Sequence, residues 1–406
     1  MTKFNRYSPL LQPFTLPCGV VIPNRIAKAA MTERLSDKNF YATDTLTNLY
    51  KKWANSGTGL LISGNIMVDK RYKESSGNVV VENESGLEQL TKYAKAGTSN
   101  GNQFWAQISH GGRQSTIFST FNPIAPSAVK LKKLGLFAKP KAMTIEQIED
   151  VIERYVTTAK VCKKAGFTGV QFHAAHGYLL SQFLSPNTNK RTDEYGGFIE
   201  NRSRVLLEII KKARIELGAD FPIAVKLNSA DFQRGGFDEK DAFYVIERLK
   251  ELNIDLLEIS GGTYENIVFL TKRSERESTR KREAYFMEFA EKVRKETNIP
   301  LMVTGGFRTL EFCEQVIANN ELEMIGFARP YLADESFPSC FVNKEKTTMQ
   351  DASFDFPIKK MSDFAEAGFY DYQIHQIAKN KPLKPNYSPY AAIVRMTKNE
   401  LVNGWF

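Results

Sequence analysis

Cysteine and histidine are scarce in this chain, with four of each among 406 residues. Cys18, Cys162, Cys313 and Cys340 stand far apart and form no CxxC pair, which argues against a zinc ribbon, an iron–sulfur cluster or a disulfide framework. No apolar run approaches the length of a membrane span, and the opening MTKFNRYSPLLQPF lacks the apolar stretch of a signal peptide. A cytoplasmic protein with no membrane partner is therefore expected. No Pro/Gly/Ser-rich linker divides the chain before about residue 340. The formal charge is +9, but the basic residues are interleaved with 46 acidic ones and no nucleic-acid-binding motif occurs. That balance favours small anionic ligands over nucleic acid.

What is present is alternation. FTLPCGVVIPN reads as an N-terminal β-hairpin, and eight strand candidates follow: RIAKAA, GLLISG, NQFWAQIS, GVQFH, PIAVKLN, DLLEIS, PLMVTG and EMIGFA. A helical pattern follows nearly every one. The clearest is Thr144–Gly166, where Thr144 and Gln147 form a capping box and Ile148, Val151, Ile152, Tyr155, Val156 and Ala159 recur at helical spacing. Lysines and Gly166 end it. Eight strand–helix units imply a parallel sheet closed on itself. An open doubly wound sheet would place a G-x-G-x-x-G after its first strand, and none is found. The predicted fold is α/β: a (β/α)8 TIM barrel over residues 1–340 with the N-terminal hairpin. Residues 341–406 form a C-terminal helical extension, packed on the barrel or on a partner subunit of a homo-oligomer.

In such a barrel one parity of each strand faces the helices and is apolar, and the other faces the interior. Val170 and Phe172 face outward, so Gly169, Gln171 and His173 point inward; by the same count Gln107 and Lys226 are inside. An inert core would carry Val, Ile or Leu there. Amide, imidazole and ammonium groups near the carboxyl ends of strands are costly to bury without a polar ligand, and that end carries the chemistry of these barrels. At the ends of the last two strands, TGGF (304–307) and GFARP (326–330) bring glycines and Arg329 to the usual phosphate position. A glycine pair is also common in plain turns.

His173, His176 and Tyr178 fall within six residues. His-x-x-His admits a metal, but a catalytic zinc needs a third protein ligand, and only His110 and His375 remain without evident acidic partners. No metal is expected. Two hydrogen-bonded core histidines are a second reading. In the third, both imidazoles donate to one oxygen that becomes negative during reaction, and Tyr178 supplies a proton from the same loop.

The motifs NRIAKAAMT, AQISHGGRQS, PIAPSA, FHAAHGYLLSQFLSPNTNKRTDEYGG with ENR, and GFARP resemble those of the old yellow enzyme family of FMN-dependent oxidoreductases, across about 330 of the 406 residues. The resemblance implies an FMN-binding barrel that uses NADPH or NADH to reduce activated C=C bonds of enones, enals and nitroalkenes, and quinones. It implies hydride transfer from flavin N5. Residue by residue, it implies that Ala30, Thr32 and Gly64 line the isoalloxazine and that Gln107 bonds its pyrimidine edge. Lys226 would lie at the N1/O2 edge, and the amides of Gly305, Gly306, Ala328 and Arg329 at the phosphate. His173 and His176 would hold the substrate carbonyl oxygen while Tyr178 protonates the α-carbon. Two departures stand out: the family's usual arginine is Lys226, which keeps the charge without the bidentate fork, and a cysteine of some relatives is Thr32. Cysteine clusters and appended nucleotide domains are lacking, so the nicotinamide would bind directly over the FMN. A non-redox sugar-phosphate barrel such as an aldolase or isomerase, and a non-catalytic flavin-binding barrel, share part of this pattern. The stretch TKRSERESTRKRE (271–283) reads as a solvated charged loop, or alternatively as a lid over the nicotinamide phosphates.

Overall fold

The computed structural model describes residues 8–133, 135–260, 276–349 and 359–403; the side chains of 276–285 are not described. Eight parallel strands close on themselves: β1 (Ile26–Lys28), β2 (Leu60–Met67), β3 (Gln103–Ser109), β4 (Gly169–Ala174), β5 (Ile223–Asn228), β6 (Leu256–Ser260), β7 (Leu301–Thr304) and β8 (Met324–Phe327). Pairing of β1 with both β8 and β2 completes the barrel, and a two-residue strand, Val79–Val80, adds to β2 outside it. Helices α1 (Asp44–Ala54), α2 (Leu87–Gly97), α3 (Ile145–Ala165), α4 (Arg204–Leu217), α5 (Glu239–Glu251), α6 (Arg276–Glu296) and α7 (Leu310–Ala318) follow β1 to β7. Directly after β8 come two single-turn helices, Pro330–Ala333 and Ser339–Val342.

Local sequence sets these bounds. Thr144 caps α3 reciprocally with Gln147, and Gly166 ends it in the left-handed region at φ 99°. Asp238 caps α5 by accepting from Asp241 N at 3.0 Å. The apolar residues split into two clusters on either side of the barrel wall. Phe104, Ala106, Ile108, Val170, Phe172, Ile223, Val225, Leu227, Leu257 and Ile259 pack outward against the helices. Ala27, Leu60, Ile62, Trp105, Ala224, Leu256, Met302 and Met324 fill the lower interior with Leu16 and Ile22 of the hairpin, which plugs the amino-terminal end. Gly169 is required there, because a Cβ would overlap the Trp105 indole. The interior is thus apolar below, and its upper layer is free to be polar.

Beyond the barrel, α8 (Lys359–Ala378) and α9 (Pro389–Asn403) pack on each other, and α8 also packs on α1. Asn48 Nδ2 donates to Ala378 O at 2.7 Å. Buried Asp371 of α8 lies 3.1 Å from Arg395 and 3.8 Å from Arg34. Of the charged stretch 271–283, residues up to 275 lie outside the described residues and the rest open α6. Among the described residues no helix is long and apolar enough to cross a membrane.

Candidate active site

Strand register assembles the upper layer. Gln107 pairs with Gln171 across β3 and β4, His173 with Lys226 across β4 and β5, and Lys226 with Glu258 across β5 and β6. All five are buried. Four of them form a continuous polar chain: Gln107 Nε2 donates to Gln171 Oε1 at 2.6 Å, Gln171 Nε2 donates to Glu258 Oε2 at 2.8 Å, and Lys226 Nζ pairs with Glu258 Oε1 at 2.8 Å. The lysine, which sequence reading left as an unpaired inward charge, therefore has a buried counter-ion. The alternation of DLLEIS carried that signal, since outward Leu257 and Ile259 force Glu258 inward.

The β4 loop raises the next tier. His176 adopts φ 60° and Gly177 φ 77°, a left-handed pair that turns the chain sharply; a non-glycine residue holds that conformation only where its surroundings impose it. Here His176 N donates to Asn228 Oδ1 at 3.1 Å. The His173 and His176 rings lie edge to face at 5.1 Å, and the Tyr178 ring stands 4.7 Å from His173. His173 Nδ1 accepts from Ala175 N at 3.3 Å, so a neutral ring carries its proton on Nε2. His176 Nε2 lies 2.7 Å from Ser260 Oγ. Burial, and next the Lys226 charge, hold both imidazoles well below the ordinary histidine pKa. They are neutral donors at pH 7, suited to an oxygen that acquires negative charge.

Tyr178 Oη donates to Glu74 Oε2 at 3.2 Å. Glu74, buried in the loop after β2, also accepts at Oε1 from Thr32 Oγ1 at 2.5 Å, Asn78 Nδ2 at 3.2 Å and Asn65 Nδ2 at 3.3 Å. Sequence reading missed this carboxylate, which lies on an aperiodic loop. The same loop is tied to α9, where Glu400 accepts from Ser76 N at 3.2 Å and pairs with Arg34 at 3.4 Å. Ala30 and Thr32 lie on the segment after β1, and Gly64 lies opposite, at a register shift in β2. Gly64 N donates to Glu33 Oε1 at 2.7 Å, and a Cβ there would run into the Glu33 carboxylate and the Met31 carbonyl. Glu33 also accepts from Tyr50 Oη, which in turn accepts from buried Lys28 at 2.8 Å. Burial lowers the Lys28 pKa to about 7.

At the ends of β7 and β8, Thr304 pairs with Gly326, so the chain leaves β7 through Gly305 and Gly306 next to where β8 runs out through Phe327 toward Ala328 and Arg329. The two glycines adopt φ 94° and 92°, and none of the described residues lies within 4 Å of a Cβ built on Gly305. Gly305 N reaches Gly326 O only at 3.4 Å, and the adjacent Thr304 hydroxyl is buried with no hydrogen-bond partner among the described residues. The Arg329 guanidinium pairs with Glu366 of α8 at 3.2 Å and lies over the Tyr370 ring, because the C-terminal helical hairpin brings an acidic partner to it. Its backbone remains at the β8 end.

These residues fit a flat ligand with one polar edge and an anionic tail. Gln107 and Lys226 would meet the edge from the interior, and the glycine turn, with a Thr304 hydroxyl unpartnered among the described residues, would cradle the tail. Among the described residues no cluster of three His, Cys, Asp or Glu is placed to hold a metal ion.

Comparison with known proteins decides the family. Residues 9–347 match the NADH:flavin oxidoreductase / NADH oxidase family. The chain belongs to it. Membership assigns the enzyme class, an FMN-dependent oxidoreductase drawing electrons from a reduced nicotinamide. The chain is 32% identical over 370 residues to the NADH-dependent flavin oxidoreductase iliE of Hypocrea jecorina (strain QM6a), covering 85% of this chain and 92% of that protein. It is 34% identical over 365 residues to the protein of the same name from Neonectria sp. (strain DH2), covering 83% of this chain but 47% of that longer protein. The fold matches a 2-naphthoyl-CoA reductase bound to 2-naphthoyl-CoA, with TM-score 0.81 and 24% identity over 91% of this chain and 58% of that one.

Proposed function

We propose that this member of the family is an NAD(P)H-dependent ene-reductase, acting on alkenes activated by a carbonyl or nitro group, and on quinones. The observation that carries the reading is the juxtaposition of two neutral imidazoles with a tyrosine hydroxyl, directly above the buried Gln107–Gln171–Glu258–Lys226 chain. Bound in that cradle, FMN supplies hydride exchange between the nicotinamide and the alkene. Gln107 and Lys226 would meet its polar edge, Ala30, Thr32 and Gly64 its ring, and the Gly305–Gly306 and Ala328–Arg329 backbone its phosphate.

The chain's own residues account for the rest. His173 donates from Nε2, the ring nitrogen left protonated by its Nδ1 contact with Ala175. For His176 to donate from Nδ1, its Nε2 must accept a hydrogen bond from the Ser260 hydroxyl, and the 2.7 Å contact permits that. Two neutral donors on one substrate oxygen stabilise the charge that develops there. Tyr178 then turns its proton from Glu74 toward the α-carbon. Relatives are named for NADH and for NADPH alike, and the donor preference of this chain follows from neither. The test is direct: the purified protein should be yellow, release FMN on denaturation, and oxidise NADH or NADPH with a cyclic enone. A colourless protein that takes up no added FMN would refute the reading and favour the sugar-phosphate barrel.

A further inference from the structure

We propose that Glu258 is a positioning residue that screens the charge of Lys226 and fixes the polarity of Gln107, holding bound FMN at a lower reduction potential than an unpaired lysine would. The inference rests on the placement of Lys226 and Gln107 at the polar edge of FMN.

The hydrogen-bond chain has a fixed direction. An ionised carboxylate can only accept. Glu258 Oε2 therefore obliges Gln171 to present its Nε2, at 2.8 Å, and turns Gln171 Oε1 away. That oxygen obliges Gln107 in turn to present its own Nε2, at 2.6 Å. Gln107 is left with its amide oxygen and one remaining N–H for a ligand. Reversing either amide would set oxygen against oxygen or N–H against N–H, so the carboxylate dictates an orientation two side chains away. Its other oxygen pairs with Lys226 at 2.8 Å, and both side chains are almost wholly buried.

That pairing changes what the lysine does. An isolated buried ammonium at the edge where a reduced flavin carries negative charge would strongly favour the reduced form. A carboxylate in direct contact cancels most of that field and leaves the dipole of the pair. Arginine could bind a carboxylate and still direct further N–H groups at a ligand, whereas lysine is closer to a point charge. Lys226 and Glu258 are thus read as one unit, a screened cation.

Glu258→Gln tests this on the FMN-loaded enzyme. The substitution keeps shape but removes the counter-charge and allows the amide chain to reverse. The readouts are the dissociation constants of oxidised and reduced FMN and the midpoint potential by spectroelectrochemical titration. The ratio of oxidised to reduced dissociation constants should rise at least about tenfold, equivalent to about 30 mV for a two-electron couple. Adding Lys226→Met should bring the ratio back to within about threefold of wild type, because the paired charges are then removed together. A merely structural glutamate would not give a rise that loss of the lysine reverses. An unchanged or lowered ratio in Glu258→Gln, or a double variant that keeps the rise, overturns the proposal. Should Glu258→Gln fail to fold by circular dichroism, Glu258→Asp carries the test. Its shortened carboxylate must still raise the ratio, by less than tenfold, and no rise overturns the proposal. If wild type takes up no FMN, the parent reading fails; an unaltered ratio in loaded variants defeats only this inference.

Discussion

Replacing Tyr178 by Phe separates what the hydroxyl does for the fold from what it does for chemistry. The ring keeps its contact with His173 at 4.7 Å, so the loop's packing survives. What disappears is the 3.2 Å hydrogen bond to Glu74 Oε2, while Oε1 retains Thr32, Asn78 and Asn65. A hydrogen bond to a buried charged group is worth about 1.5–3 kcal/mol, and the unfolding free energy should fall by about that amount. The chemical effect is larger. A positioned general acid contributes about 10²–10⁴-fold, or about 3–5 kcal/mol of barrier. Stopped-flow mixing with NAD(P)H should find reduction of the bound FMN almost unchanged, because no proton from Tyr178 enters that half-reaction. Reoxidation by a cyclic enone should slow by about 10²–10⁴-fold, while a quinone, needing no proton on carbon, should react at near the wild-type rate. Equal loss on both acceptors would show that Tyr178 acts structurally. No loss on either would assign the proton to water or to another group such as Glu74, which accepts from the tyrosine hydroxyl.

The histidine clamp and the acid limit of the fold give two further tests. Ser260→Ala should weaken binding of a para-substituted phenol by roughly fivefold, since about 1 kcal/mol of hydrogen bonding to His176 Nε2 is lost. His173→Ala with His176→Ala should cost a few kcal/mol and abolish binding, both read by long-wavelength charge-transfer absorbance; intact binding would place the oxygen elsewhere. Burial also lowers the other two histidines, His110 and His375, to about 4. Since all four have folded pKa values below their unfolded ones, stability is full above about pH 6.5 and is lost as pH falls through that window toward the folded values. For His110 the loss at pH 5 is about 2 kcal/mol, from about 1.4 kcal/mol per pH unit below 6.5. Urea titrations at pH 7 and pH 5 should show wild type losing about that much more than His110→Asn, and parallel losses would sink the assignment.

Period-two alternation made the barrel and half of its upper layer legible, because outward apolar residues leave their neighbours nowhere to point but inward. Gln107, Gln171, His173 and Lys226 follow from that rule, and Glu258 obeys it as well. Parity says which side chains share an interior but not which of them touch, so the sequence showed a cation and the structure shows an ion pair. Glu74 escaped for a different reason. It sits on a loop without periodicity, and its donors Thr32, Asn65, Asn78 and Tyr178 come from three loops and one strand. The Arg329–Glu366 pair escaped as well, because Glu366 lies in the C-terminal helical hairpin, whose docking no local pattern encodes. The same hairpin sends Glu400 to the Ser76 amide, on the loop that carries Glu74. The C-terminal helices therefore hold both rims of the barrel mouth, one at the β8 end and one behind the tyrosine. Truncating them would disturb the site through Arg329 and Glu74 before it exposed the barrel's lower core, which is closed by the hairpin at the opposite end.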